Sequence, residues 1–114
     1  MNTLNRSLVI IRPKEPFAKW AWSVNDEEPK YSLEEEREDC TAYLLPVGEQ
    51  VGDEKKILAK QYRKIFEEEL SQWMTDESVW PARRDFKTFK AWFEVEFCSV
   101  VLDLSSHQLL SEES

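Results

Sequence analysis

A small α+β fold follows from three features of this 114-residue chain. One apolar run near each end and one in the middle have the length and composition of strands. The segments between them repeat apolar residues at helical spacing. Strands and helices do not alternate singly, as they would around a parallel sheet. The order is β-α-α-β-α-α-β, which predicts a small three-stranded sheet with helices packed mainly on one face.

Ser7 to Arg12 is the first strand, β-branched and stopped by Pro13. Its unbroken apolar run predicts cover on both faces. Pro16 suits the first turn of a helix in which Phe17, Trp20, Ala21 and Val24 form one stripe, with Trp22 off it. Asn25 to Lys30 is a polar connection. Ser32 opens a second helix with Glu35 at capping-box spacing, but this helix has almost no apolar face and belongs on the surface. Thr41 to Val47 is the second strand, and Gly48 to Gly52 a turn. Asp53 caps a long helix reaching Met74, with Leu58, Tyr62, Ile65, Phe66, Leu70 and Trp73 on its inner side. Thr75 to Pro81 reads as a helical turn and a loop. Asp85 caps a last helix with Phe86, Phe89 and Phe93 on one face and Trp92 at its edge. Val95 to Leu104 reads as the longest strand, apolar on both sides and therefore placed in the middle of the sheet. Residues 1–104 form one domain and 105–114 a C-terminal tail.

Composition bounds the function. The chain is 41% hydrophobic with five tryptophans, enough large apolar groups for one core. Its net charge of −8 weighs against nucleic acid, which calls for a dense basic surface. Residues 26–39 hold eight acids and two bases, a net of −6 and most of that total. Lys56, Lys60, Arg63 and Lys64 stand on the outer side of the long helix, placed to pair with Glu67 and Glu68 or to meet the acidic stretch. Cys40 and Cys98 lack zinc-type spacing and read as reduced, largely buried thiols. Leu8 to Ile11 is too short an apolar run for a signal peptide or a membrane span, so a cytoplasmic protein is expected. With two glycines there is no Gly-rich phosphate loop, and no metal or cofactor motif is present. The one histidine, His107, falls in the tail, and Ser99 has no nucleophile elbow around it. No catalytic residue is assigned.

The strings RPKEPFAKW (Arg12 to Trp20), TAYLLP (Thr41 to Pro46), IFEEELSQW (Ile65 to Trp73) and FKTFKAWFEVEFCSVVLDL (Phe86 to Leu104) together resemble a family of short uncharacterised bacterial proteins. The resemblance implies a bacterial, cytoplasmic, stand-alone domain. It carries over no activity and no site residues.

One ionisable group looks misplaced. At about 100° per residue, Glu69 falls about 20° from Leu58, inside the apolar arc of the long helix. Burying a carboxylate there requires a partner or protonation. Arg83 or Arg84, just beyond Trp80 and Pro81, is the expected partner, with the Tyr62 hydroxyl as a second donor. The resulting candidate binding site is Glu69, Arg83, Arg84, Tyr62, Trp73 and Trp80. Two functions follow: a non-enzymatic interaction or regulatory protein that forms a homodimer or binds a protein partner, or a small-molecule binder or enzyme with a Glu/Arg/Trp-lined pocket. A structural ion pair at Glu69 suits either function, and an open cleft around it favours the second.

Overall fold

The computed structural model describes residues 2–3, 6–24, 34, 37, 40–46, 53–98 and 100–105. A three-stranded antiparallel sheet is formed by β2 (Arg6–Pro13), β3 (Thr41–Pro46) and β4 (Phe93–Cys98), in the order β3-β2-β4. Two short strands, β1 (Asn2–Thr3) and β5 (Leu102–Asp103), pair with each other. The described helices are α1 (Glu15–Val24), α2 (Asp53–Ser71) and α3 (Phe86–Trp92), with a 3-10 turn at Glu77–Val79. The fold is the small α+β arrangement expected. Of the expected second helix only Glu34 and Arg37 are described, and both are helical. The rest of that helix, the 48–52 turn and the tail beyond Ser105 lie outside the described residues.

The middle of the sheet differs from expectation. It is β2, whose Val9 and Ile11 are wholly buried, and not the C-terminal strand. A middle strand needs a partner on each side, and the continuous Leu8–Ile11 run was the better sign of that position. In β4, Phe93, Val95 and Phe97 turn inward while Glu94, Glu96 and Cys98 are exposed. This alternation belongs to a strand with one wet face. The strand also ends early, at Cys98. Leu102 and Asp103 pair with the N-terminus instead, one residue out of step. Leu8 and Thr3 are five positions apart, whereas their partners Cys98 and Leu102 are four apart. The alternation of β4 runs on in the same phase, so Val100, Leu102 and Leu104 fall on the exposed side with Glu94, Glu96 and Cys98, while Val101 is half-buried.

The helices pack on the inner face. The core joins Val9, Ile11 and Leu45 of the sheet to Phe17 and Ala21 of α1, Leu58, Ile65, Phe66 and Leu70 of α2, and Phe89 and Phe93. Phe66 is the hub: its ring lies 5.9 Å from Phe89, 5.7 Å from Trp92 and 5.5 Å from Phe93, centre to centre. Each such side chain contributes about 1.5–3 kcal/mol through burial. Asp85 caps α3 by accepting from the Thr88 amide at 2.8 Å, and the Thr88 side chain together with that amide holds its carboxyl below the usual range. Asp76 caps the 3-10 turn in the same way through Ser78, whose hydroxyl and amide both donate to it. Trp20 Nε1 donates to the Val79 carbonyl at 2.9 Å and ties α1 to that turn.

Candidate functional site

Glu69 is inward, as its phase on α2 requires. It is 6% exposed and is the one buried charged residue among those described. Its partners, however, come from β3 and not from the arginines. The Tyr43 hydroxyl donates to Glu69 Oε2 at 2.6 Å, and the Thr41 side chain bonds the same carboxylate. Thr41, Tyr43 and Leu45 alternate along β3 and so share its inner face, directly beneath α2. Burial pushes the Glu69 carboxyl above its usual value. The hydrogen bonds from Tyr43 and Thr41 pull it back in part, and the charge of Glu68 raises it further. Tyr43 is pushed well above the usual phenol range, first by burial and then by its bond to Glu69.

The other expected site residues are dispersed. Arg83 is exposed and faces Asp85 at 3.8 Å. Arg84 donates to the Pro81 carbonyl at 3.1 Å and lies over the Trp80 ring, 5.6 Å from its centre. Two arginines three and four residues beyond Trp80 thus close their own loop and do not reach back to α2. Trp80 Nε1 donates to the Met74 carbonyl at 2.8 Å, and Trp73 packs at the edge of the core. Tyr62 serves the α2–α3 contact, with its ring 5.1 Å from Phe86 and 5.9 Å from Phe89. Sequence reasoning missed Tyr43 and Thr41. The period-two pattern of TAYLLP puts both on one face, but only the strand order shows that this face lies under Glu69.

A groove of about 420 Å³ runs along β3 and α2, lined by Thr41, Tyr43, Lys64, Glu68 and Gln72 among others. Glu69 is not on its wall. The ion pairs expected on the outer side of α2 are not formed among the described residues. Those present are Arg12–Glu96 at 2.6 Å, Lys19–Glu15 at 2.9 Å, Arg83–Asp85 and Arg37–Glu94.

The outer face of the sheet is the second notable surface. Leu8, Ile10, Ala42 and Leu44 lie together there by register, and Leu44 is 46% exposed. The Arg12–Glu96 bridge closes one side, and its hydrogen bond raises the arginine's pKa. Arg37 adds a second pair with Glu94 and donates to the Pro13 carbonyl at 3.2 Å. Cys98 shares this face and, like Cys40, is a free and exposed thiol. The expectation of buried thiols fails because Cys98 sits on the outward phase of an edge strand. His107 lies outside the described residues, and no group of three or more metal-ligating side chains occurs among those described. No described helix is long and apolar enough to cross a membrane. Comparison with protein-family models, with curated proteins and with solved structures gives no match.

Proposed function

We propose that this protein is a non-enzymatic interaction domain that self-associates through the outer face of its sheet. The observation that carries this reading is the apolar strip of Leu8, Ile10, Ala42 and Leu44, in which Ala42 and Leu44 are exposed and Leu8 and Ile10 half-buried, on the side of the sheet away from α1, α2 and α3. Its charge supports the same reading. An isologous contact sets a patch against its own copy, so a patch with net charge repels itself. Here Arg12 and Arg37 pair with Glu96 and Glu94, which offsets these four charges on a chain of net −8. Glu69 favours the non-enzymatic role, because a carboxylate enclosed by two hydroxyls is not placed to meet a substrate. Two exposed free thiols suit a reducing compartment, consistent with a cytoplasmic site of action. Sedimentation velocity over a wide micromolar range tests the proposal. The expected result is a concentration-dependent dimer that Leu44→Glu dissociates without changing the circular dichroism spectrum. A wild-type protein that remains monomeric throughout that range overturns it.

A further inference from the structure

We infer that the cleft between α2, α3 and the inner face of β4 binds a small monocarboxylate with an apolar body. The cleft holds about 450 Å³, within the roughly 300–1,000 Å³ of small-ligand sites. Its walls are apolar: Leu58 from α2, Phe86 from α3, and Phe93, Val95 and Phe97 from β4.

Three lysines also line it, and each comes from a different element. Lys14 belongs to the link between β2 and α1, Lys55 to the first turn of α2 and Lys90 to the last turn of α3. Two of them are held in place. Lys14 Nζ donates to the Lys90 carbonyl at 3.0 Å, and Lys90 Nζ lies 5.0 Å from the centre of the Phe86 ring. None of the three forms an ion pair among the described residues. Glu94 is the one carboxylate on the lining, and it is already paired with Arg37.

The charge distribution selects the ligand. On a chain of net −8, three lysines line one cleft whose single carboxylate, Glu94, is paired with Arg37. A bound negative head group meets this positive lining, and the lysine hydrogens supply charge-assisted bonds to it. A bare inorganic anion leaves the aromatic and aliphatic walls in water. An uncharged hydrocarbon leaves the lysines unanswered. A single carboxylate on an alkyl or aryl body satisfies both halves of the site. The cleft shares Glu94 alone with the residues named on the outer sheet surface, and Leu8, Ile10, Ala42 and Leu44 do not line it, so separate substitutions test it and the self-association proposal.

Titration of the full chain with sodium decanoate below its micelle concentration, followed by amide chemical shifts, tests the inference. Saturable shifts confined to residues 55–58 and 86–97 are expected, with decanol and acetate both binding much more weakly. Lys55→Glu and Lys90→Glu alter exposed side chains, and each should weaken decanoate binding about tenfold, the worth of one charge-assisted hydrogen bond. Absence of saturable shifts with millimolar decanoate overturns the site. Shifts centred on Leu8, Ile10 and Leu44 overturn it too, as does equal affinity for decanol or for the two lysine variants.

Discussion

Replacing Glu69 separates a carboxylate held as an anion from one merely tolerated by its surroundings. If an arginine were its partner, truncation to alanine would strand a buried cation at about 3–5 kcal/mol. The structure puts hydroxyls there instead, so Glu69→Ala leaves only the Tyr43 and Thr41 donors without their acceptor. The expected cost falls to about 1–3 kcal/mol. Glu68→Ala, one residue away and exposed, should stay within about 0.5 kcal/mol. Glutamine is the more informative change. It keeps the shape, its carbonyl accepts from Tyr43, and its amide can donate to a rotated Thr41 hydroxyl. It also removes a charge that burial disfavours. The folded-state pKa of Glu69 lies above its ordinary value of 4.5, so the folded protein keeps a proton that the unfolded chain has released. The stabilisation from that difference is complete below the ordinary value and is lost as pH rises through the folded-state value. Wild type should therefore lose stability relative to Glu69→Gln as pH rises from acid to neutral, and the variant should be at least as stable at pH 7. Urea denaturation followed by tryptophan fluorescence at a series of pH values measures this. If wild type instead gains on the glutamine variant as pH rises, the carboxylate is favoured as an anion, and the dominance of burial assigned here is wrong.

Two further outcomes follow from the same geometry. Tyr43→Phe removes the 2.6 Å donor to Glu69; it should cost about 1 kcal/mol and move the Glu69 titration still higher, as read from side-chain carboxyl carbon shifts, and an unchanged titration would show that the bond is absent in solution. Asp85→Ala removes the cap of α3, and because the Asp85 carboxyl is held below its ordinary 3.8, the stability it contributes is present above that value and lost as pH falls through the folded-state value. The Asp85→Ala variant should melt lower than wild type at neutral pH, with the gap closing in acid, and equal melting at neutral pH would refute the cap.

Periodicity made the helices legible. The 3.6-residue repeat located Leu58, Ile65, Phe66 and Leu70 on one side of α2 and placed Glu69 among them. Local capping chemistry located Asp85. Both signals depend on residues within a turn or two of one another. The errors arose where the answer depends on residues far apart in sequence. The partner of Glu69 is 26 positions away, on a strand whose neighbours no local pattern reveals. The apolar run of the C-terminal strand continues to Leu104 and suggests a central position that the strand does not hold. Glu94 and Glu96 already marked an outward face, and the register offset beyond Cys98 is set by the N-terminal strand. The lysine-rimmed cleft draws on four separate segments, and no local pattern brings Lys14, Lys55 and Lys90 together.

The buried carboxylate also bears on how β3 finds its place. This strand lies at the edge of the sheet, with β2 its single partner, so half of its backbone groups impose no register. Its outward residues include Ala42 and Leu44, which are apolar, so hydrophobicity alone distinguishes the two faces poorly. A one-residue slip would turn Thr41 and Tyr43 outward and bring Ala42 and Leu44 under α2. Glu69 would then be buried against aliphatic carbon with no donor, at the C-terminal end of a helix whose dipole already disfavours an anion. A two-residue slip keeps the faces but moves Tyr43 by roughly 7 Å, twice the rise of a strand residue, beyond reach of the carboxylate. Only the observed register, with Val9 opposite Tyr43, satisfies all three polar side chains. An apolar residue at position 69 would remove the desolvation cost, and with it the polar interaction that joins the packing of Leu45 in distinguishing the correct pairing of β3 from its neighbours.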